Sequence, residues 1–588
     1  MAKASELAKP WTPEEASWFP LAQDPAPRGT FEMGLVLGGT VSAGAYTAGV
    51  LDFLLEALDA WGEELKLRPT PTPDWNVSIR AISGTSGGGV LAAMFAKALS
   101  WKFDPVRASD PPEAGLRNPF YDVWVERLDV DKMLETSDIV SGQPLRSVLN
   151  AKCLEEAAAF VAAYPENLGV QPAARDFVPE PIPIYLTLTD LRGLPCRVGF
   201  QGKLGQNYTE HAEYAKVCVY TRGGNANLRP DAYGVSKNPG QTGFVGWGDV
   251  TRYALGTSAF PIGFPPRDLS LPAQHLRLRP IVVVPPAPPA AASPAGPVVM
   301  GRPIYWDALA DAKGNVPDDF RFAAVDGGVL DNEPIELCRG ELAGMAGRNE
   351  RRGHLARRAV ILIDPFFDPP DLGTAELPSV FKEIGELAGT WKSQARYDSQ
   401  DLQLAVDEDC YSRFMITAKR DGAEPGGKSI ATACLSAFGG FLCREFRRHD
   451  YFLGRRNCRE FLLKDLLIPV ANDDLFGPWK AKTPDFSQFV VKDALGRDCL
   501  RLIPLYGRCQ EEEVVPGYPV GSFNPRARPF RDAVERRLSA TVGSLIDSED
   551  LPLIERWLLE LAVAWKKGDW AKDVVKQVEH GLKQWKLL

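Results

Sequence analysis

The sequence has few histidines, no paired cysteine motif and no long apolar run. Only five histidines occur in 588 residues, and ten cysteines are scattered without a CxxC pair. The cysteine spacing excludes zinc-ribbon and thioredoxin-type sites. No run reaches the ~18 apolar residues that a membrane-spanning helix needs. The first ten residues lack the apolar segment of a signal peptide, so we expect a cytoplasmic protein with reduced thiols.

Charge and length narrow the class of protein further. A net charge of −9 and a pI near 5.4 argue against nucleic acid as a partner and give no general attraction to anionic membranes. The composition, 45% apolar and 24% charged, is ordinary for a globular protein. A chain of this length is too long for one core, so more than one structural unit is expected.

Apolar runs alternate with helical patterns through the first two thirds of the chain. Strands are predicted at 33–37, 77–82, 183–189 and 358–364, and helices at 46–58, 90–99 and 150–163. This alternation predicts a three-layer α/β/α core with a mostly parallel central sheet. We divide the chain into an extended lead-in (1–30), a catalytic domain (31–370) with loop-rich insertions near 102–180 and 270–300, and a mainly helical C-terminal region (371–588) packed on the core.

The most informative stretch is Gly-Thr-Ser-Gly-Gly at residues 84–88. A strand precedes it and a helix follows it, which is the arrangement of a nucleophile elbow. Gly84, Gly87 and Gly88 allow a strained turn and leave room for a substrate carbonyl. Ser86 is therefore the candidate nucleophile.

A serine hydroxyl needs a base to accept its proton. None of the five histidines lies in a pattern built around it: His211, His275, His354, His449 and His580. His449, beside Asp450, is the best candidate for a Ser-His-Asp triad. Asp326, in the Asp-Gly-Gly turn that ends another strand, is a better candidate base, because groups at the carboxyl ends of strands converge on one crevice.

A glycine-rich loop, Gly38–Gly44, follows the first strand. Its backbone amides are suited to stabilise the oxyanion that forms when a serine attacks an ester. A phosphate site would use similar amides, but this loop lacks the G-x-G-x-x-G spacing and the Walker lysine.

Four further motifs follow along the chain. They are Thr-Asp-Leu at 189–191, Ala-Leu-Gly-Thr-Ser-Ala-Phe-Pro at 254–261, Phe-Pro-Pro at 264–266 and Asp-Gly-Gly-Val-Leu-Asp-Asn-Glu-Pro at 326–334. Together with the glycine-rich loop and the Ser86 turn, they resemble the patatin-like phospholipase family over roughly residues 32–370.

This resemblance implies a lipid acyl hydrolase with a Ser-Asp dyad, Ser86 as nucleophile and Asp326 as base, and no catalytic histidine. It places Gly38, Gly39 and Thr40 in the oxyanion loop and Gly327 and Gly328 in the motif of the base. It implies no metal and no organic cofactor, and a phospholipid or other acyl ester as substrate. Thr40 stands where the family has a third glycine, and Ser42-Ala43 replaces its usual arginine. Which amides donate to the oxyanion stays open.

Two C-terminal stretches have alternative interpretations. The arginine-rich segment 444–459 suits either phospholipid headgroups or a salt-bridged scaffold, and the tryptophan- and lysine-rich segment 551–588 suits either a membrane surface or the core. We favour the structural interpretation of both and keep peripheral membrane contact as an expectation. A histidine-triad esterase, a non-catalytic lipid-binding scaffold and acyl transfer to an alcohol remain as alternatives.

Overall fold

The computed structural model describes residues 1–67, 71–164, 171–200, 205–222, 228–236, 244–285, 296–366, 410–547 and 569–588. Its main sheet has nine strands. In chain order they are β1 (Thr30–Leu37), β2 (Asn76–Gly84), β3 (Ile182–Gly199), β4 (Gly205–Tyr220), β5 (Tyr233–Ser236), β6 (Arg267–Pro272), β7 (Asp319–Asp326), β8 (Arg358–Ile363) and β9 (Arg413–Ile416).

The longer helices surround this sheet or build the C-terminal region. They are α1 (Gly44–Leu67), α2 (Gly87–Ala98), α3 (Lys152–Ala163), α4 (Trp247–Thr257), α5 (Ile335–Ala343), α6 (Arg444–Lys464), α7 (Asp473–Lys480), α8 (Arg528–Asp547) and α9 (Asp569–Gln584).

The sheet order is β9-β8-β1-β2-β3-β7-β6, and β4 pairs with both β3 and β5. Strands β9, β8, β1, β2 and β3 run parallel, as predicted. Strand β7 runs antiparallel to both β3 and β6. The predicted mostly parallel sheet is therefore present, with an antiparallel section on the side of β7.

The sheet is the middle one of three layers, because side chains of a single strand point to separate cores on its two faces. On β1, Leu35 and Leu37 belong to the main core with α1 and α2. Val36 points to the other face, where it packs with Leu342 of α5. Both faces of the central strands are buried, which explains why they read as continuous apolar runs.

Helix α1 lies in the core. The span Val41–Leu67 is long and apolar enough to cross a membrane by composition alone, with a hydropathy of 1.3, but 89% of that window is buried inside the protein. A close helix crossing explains part of this burial. A Cβ on Gly49 would lie 1.9 Å from the carbonyl oxygen of Tyr451, and a Cβ on Gly454 of α6 would lie 2.1 Å from that of Tyr46.

The first thirty residues are more ordered than the extended lead-in that we expected. Ala2–Lys3 pairs with Asn315–Val316, and two short helices follow, Ala4–Leu7 and Pro13–Ser17. The second begins with a reciprocal capping box between Thr12 and Glu15, a local start signal that the neighbouring prolines obscured.

The C-terminal region contains helices α6 to α9 and a small antiparallel sheet of Leu467–Pro469, Asp498–Arg501 and Val490–Lys492. The apolar face of α9, with Val575 and Leu582, packs against a core cluster that includes Phe446 and Phe530. Residues 548–568, which carry part of the tryptophan-rich pattern, and 367–409 lie outside the described residues, as does the centre of the proline-rich loop at 286–295.

The arginines of α6 are largely held within the protein. Arg455 is fully buried and pairs with Asp52, Glu56 and Glu513. Arg447 is also buried and donates to backbone carbonyls. These contacts support the structural interpretation of segment 444–459.

Candidate active site

Ser86 lies in the turn between β2 and α2, with φ of 55° and ψ of −130°. A residue with a side chain rarely adopts a positive φ, and this strained turn is typical of a nucleophile elbow. The glycines on either side make room for it. A Cβ on Gly84 would lie 2.6 Å from the carbonyl oxygen of Gly88, and a Cβ on Gly88 would lie 2.3 Å from that of Leu37. The turn therefore presents Ser86 at the carboxyl end of β2.

The Ser86 hydroxyl donates a hydrogen bond to Asp326 Oδ2 at 2.6 Å. Both residues are buried, at 5% and 4% exposure. The Gly328 amide donates to the other carboxylate oxygen at 2.8 Å. The Asp326 backbone is also fixed, because its carbonyl accepts from the Thr189 hydroxyl and its amide donates to the Ala259 carbonyl. The carboxylate is thus oriented toward Ser86 from several sides.

The two strands that bring Ser86 and Asp326 together run in opposite directions. On the parallel side, Gly84 at the end of β2 pairs with Leu186 of β3. On the antiparallel side, Asp326 at the end of β7 pairs with Leu188 of β3. The strand ends converge because β3 extends past the end of β2, and β7 pairs with this further part of β3. The expected convergence is present, but it does not come from a set of parallel strands alone.

Gly38 and Gly39 of the predicted oxyanion loop already use their amides. The Gly38 amide donates to the Ile363 carbonyl and the Gly39 amide to the Asn332 carbonyl, each at 3.1 Å. Gly39 also allows a close approach, since a Cβ there would lie 3.5 Å from Ser86 Cβ and 2.2 Å from Asn332 Oδ1. These two glycines therefore place the loop against the nucleophile.

The next amides of the loop are better placed to donate to a substrate. Within the described ranges, no acceptor is bonded to the Thr40 or Val41 amide. Val41 has φ of 48°, a strained value for a β-branched residue. Val41 also lines the same cavity as Ser86 and Gly87, the first residue of α2. An oxyanion hole here would use these amides.

The loop is held from behind by the C-terminal region. The amide and the hydroxyl of Ser42 both donate to the Ala437 carbonyl, and the Gly440 amide donates to Ser42 Oγ at 2.9 Å. The segment that provides these contacts is itself strained, because Leu435, Ser436 and Ala437 all have positive φ.

An apolar cavity extends from Ser86. Its walls come from α2, from residues 123–128, from α3 and α4, and from three phenylalanines. The lining residues are Val41, Ser86, Gly87, Val90, Ala93, Met94, Val123, Trp124, Leu128, Leu154, Ala157, Ala158, Val161, Thr251, Ala254, Leu255, Ser258, Phe260, Phe264 and Phe441. Such a lining is suited to a hydrocarbon chain.

His449 has a structural environment. Its Nδ1 lies 2.7 Å from Asp450 Oδ1, and its ring packs edge-on against Tyr518. Asp450 also accepts hydrogen bonds from the amides of Ala431 and Thr432. This pair therefore anchors a loop of the C-terminal region.

The other histidines also have partners elsewhere or lie on the surface. The His211 ring contacts the Asp190 carbonyl and the Thr209 hydroxyl. His275 packs against Tyr233, and burial lowers its pKa to about 3. His354 and His580 are exposed. Among the described residues, no group of three or more His, Cys, Asp or Glu side chains is arranged to hold a metal ion.

Sequence reasoning missed several residues of the site. Thr257 accepts the Ser86 amide at 3.0 Å; it lies inside a motif noted above, but nothing in that motif assigns it this role. Ser42 had been seen only as a departure from the family pattern. Trp124 and Phe441 line the cavity from segments without any recognised motif.

Comparisons with known proteins agree with this fold. The chain matches the model of the patatin-like phospholipase family over residues 35–339. It is 31% identical over 576 residues to y4iI of Sinorhizobium fredii, described as an uncharacterized protein, covering 88% of this chain and 77% of that one. This similarity therefore extends beyond the family match into the C-terminal region.

The crystal structure of VipD from Legionella pneumophila is a distant match, at 11% identity over 95% of this chain and 92% of that chain. Its TM-score of 0.18 carries no argument about the fold or function. The family match and the relative of 31% identity are sufficient to assign the family. The chain belongs to the patatin-like phospholipase family.

Proposed function

We propose that this protein hydrolyses carboxylic esters of lipids, with Ser86 as the nucleophile and Asp326 as the general base. The hydrogen bond of 2.6 Å between Ser86 Oγ and Asp326 Oδ2, at one end of an apolar cavity, carries this proposal. Family membership supports a lipid acyl hydrolase in general terms. A phospholipid is the substrate that we propose, because it combines a long acyl chain with an ester.

The first half of the reaction forms an acyl-enzyme. Ser86 Oγ attacks the ester carbonyl carbon while its proton passes to Asp326 Oδ2. The carbonyl oxygen becomes an oxyanion that accepts hydrogen bonds from the amides of Thr40, Val41 and Gly87. When the tetrahedral intermediate collapses, the bond to the alcohol breaks and Asp326 returns the proton to the leaving alkoxide.

The second half releases the fatty acid. A water molecule loses a proton to Asp326 as its oxygen attacks the acyl carbon. Collapse then breaks the bond to Ser86 Oγ, which regains the proton from Asp326. An alcohol in place of water would give acyl transfer instead.

The cavity supports an extended acyl chain as the group bound beside Ser86. Side chains from α2, α3 and α4 line it without a charged group, so the lining offers no partner for a polar headgroup. We therefore place the acyl chain inside and the headgroup outside. As part of this proposal, the protein is cytoplasmic and contacts membranes only at their surface.

Products formed from vesicles of mixed lipids test the proposal directly. Mass spectrometry is expected to detect free fatty acid and lysolipid with the wild type and neither with Ser86→Ala. A fluorophosphonate probe is expected to label Ser86. Absence of both products and labelling in folded protein exposed to lipid would favour a non-catalytic scaffold.

A histidine triad is the competing catalytic scheme. The contacts of His449 with Asp450 and Tyr518 favour a structural role for it. Loss of activity in His449→Gln, with Asp326→Asn still active, would replace the dyad by the triad.

A further inference from the structure

The most exposed large apolar side chain among the described residues belongs to Ile262, at 79%. Its backbone has φ of 68°. For a β-branched residue this is an outlier, because Cβ crowds the neighbouring carbonyl in the left-handed region. Such strain persists only where the surrounding structure imposes it. The chain therefore holds an apolar side chain in water, in a conformation that its residue type disfavours.

The surrounding hydrogen bonds show how Ile262 is held. The carbonyl of Ile262 accepts from the Val148 amide, and the carbonyl of Gly263 accepts from the Leu149 amide. Arg537 of α8 donates in turn to the Val148 carbonyl at 2.7 Å. Ile262 thus projects from a braced segment.

Ile262 is close in sequence to the wall of the Ser86 cavity. Phe260, two residues earlier, lines the cavity and is also 39% exposed, so it belongs to both the wall and the surface. Phe438 of the C-terminal region packs edge-on against Phe260, with ring centroids 5.3 Å apart. Val148 is exposed beside Ile262. We call Val148, Phe260, Ile262 and Phe438 the apolar rim.

Charges near the apolar rim are compatible with a lipid surface. Two carboxylates on neighbouring segments are neutralised, Glu155 by Arg267 and Asp138 by Arg537. Arg146 is exposed two residues before Val148 and, in the part of the chain that is described, has no ion-pair partner. The two paired carboxylates therefore exert little local repulsion on anionic headgroups, and the exposed Arg146 attracts them.

We propose that the apolar rim is the surface by which this protein docks on a lipid bilayer, with Ile262 and Phe260 entering the acyl region. This inference rests on the proposed function, since the cavity behind the rim is taken as the acyl site. Docking here places the cavity opening against the bilayer. An acyl chain then passes from lipid to cavity along Phe260 without crossing water, which avoids exposing its hydrocarbon.

Ile262→Asn is the decisive substitution, because it separates docking from folding. Asn tolerates the left-handed region far better than a β-branched residue, so the thermal stability of this variant is expected to equal or exceed that of the wild type. Removal of the apolar side chain is expected to weaken binding to vesicles roughly tenfold or more. Leu495→Asn is the matched control, since Leu495 is 70% exposed in a hairpin of the small C-terminal sheet.

Binding is measured by co-sedimentation with vesicles of phosphatidylcholine, with and without phosphatidylglycerol, in a Ser86→Ala background that prevents hydrolysis. Activity is measured on the same vesicles and on a short water-soluble ester. We expect Ile262→Asn to lose binding and vesicle hydrolysis while hydrolysis of the soluble ester is unchanged, and Leu495→Asn to behave as the wild type.

Vesicle binding by Ile262→Asn equal to that of the wild type would overturn the docking surface and leave the hydrolase intact. Absence of hydrolysis of both the vesicles and the soluble ester by the wild type would instead overturn the proposed function. If Ile262→Asn binds vesicles like the wild type but no longer binds a protein that the wild type binds, the apolar rim would be assigned to a protein partner instead.

Discussion

The two sides of the site are built in different ways. On the nucleophile side, Ser86 and Asp326 are held by Thr257, Thr189 and Gly328, which all lie inside the family match. On the oxyanion side, Ser42 of the loop that begins at Gly38 is fixed by residues more than 390 positions later in the chain.

Helix α1 also contacts the C-terminal region. It begins directly after the loop and crosses α6 so closely that glycine is required on both helices. A buried network also joins the pair, with Arg455 of α6 bonded to Asp52 and Glu56 of α1 and to Glu513. The nucleophile side is thus self-contained, whereas the oxyanion side depends on the C-terminal region.

The largest predicted effect is on the nucleophile side. Asp326→Asn keeps an oxygen to accept the Gly328 amide but provides no base for the Ser86 proton. We expect kcat on lipid vesicles to fall by about 10³–10⁴-fold, with circular dichroism and thermal stability close to wild type. His449→Gln is expected to retain wild-type kcat within severalfold. The reverse ranking of these two variants would contradict the comparison.

Ser42→Ala is expected to show how far the oxyanion side depends on the C-terminal region. It removes the hydroxyl that bridges the Ala437 carbonyl and the Gly440 amide, so the loop amides lose their fixed position. We expect kcat to fall about 10–100-fold, with KM nearly unchanged, because a displaced oxyanion donor acts mainly on the transition state.

Ser429→Ala is the matched control for Ser42→Ala. Ser429 is equally buried in the C-terminal region, donates to the Glu424 carbonyl and accepts from the Arg420 amide. It should cost stability without a comparable loss of kcat. Equal losses of kcat in the two variants would indicate a general effect of destabilisation.

A third variant addresses the helix crossing. Gly454→Ala places a Cβ 2.1 Å from the Tyr46 carbonyl oxygen, so α6 has to move away from α1. We expect the free energy of unfolding to fall by roughly 1–3 kcal/mol, measured by urea denaturation. Gly543→Ala, in α8 with open space around it, should be neutral or stabilising.

A further predicted effect is a pH dependence of stability. Burial raises the pKa of Glu56 to about 7, although Arg455 acts in the opposite direction. The folded protein then keeps a proton that the unfolded chain releases above pH 4.5, so the free energy of unfolding falls as pH rises from about 4.5 to 7. Glu56→Gln should flatten this decline. An unchanged slope in the variant would assign the dependence to other groups.

The difference between the nucleophile side and the oxyanion side also explains which features could be predicted from the sequence. The approach of Ser86 to Asp326 was predictable because Gly-Thr-Ser-Gly-Gly and Asp-Gly-Gly are local patterns at strand ends, and a turn around Ser86 depends mainly on neighbouring glycines. The alternation of strands and helices also predicted the layers.

Other parts depend on tertiary contacts that no local pattern encodes. The direction of β7 is not visible in its hydrophobic pattern. The bond from Ser42 to Ala437 depends on how the C-terminal region packs, and the amides of Gly38 and Gly39 are occupied by partners far along the chain. The position of the glycine-rich loop beside Ser86 was therefore predictable, but the amides that it leaves available were not.

The rate at which a fluorophosphonate labels Ser86 tests the central claim most directly, because the probe requires both an activated serine and an oxyanion hole. We predict that labelling of Asp326→Asn is slowest, that Ser42→Ala is intermediate, and that His449→Gln and Ser429→Ala match the wild type. Wild-type labelling in Asp326→Asn, or strongly slowed labelling in His449→Gln, would contradict the account.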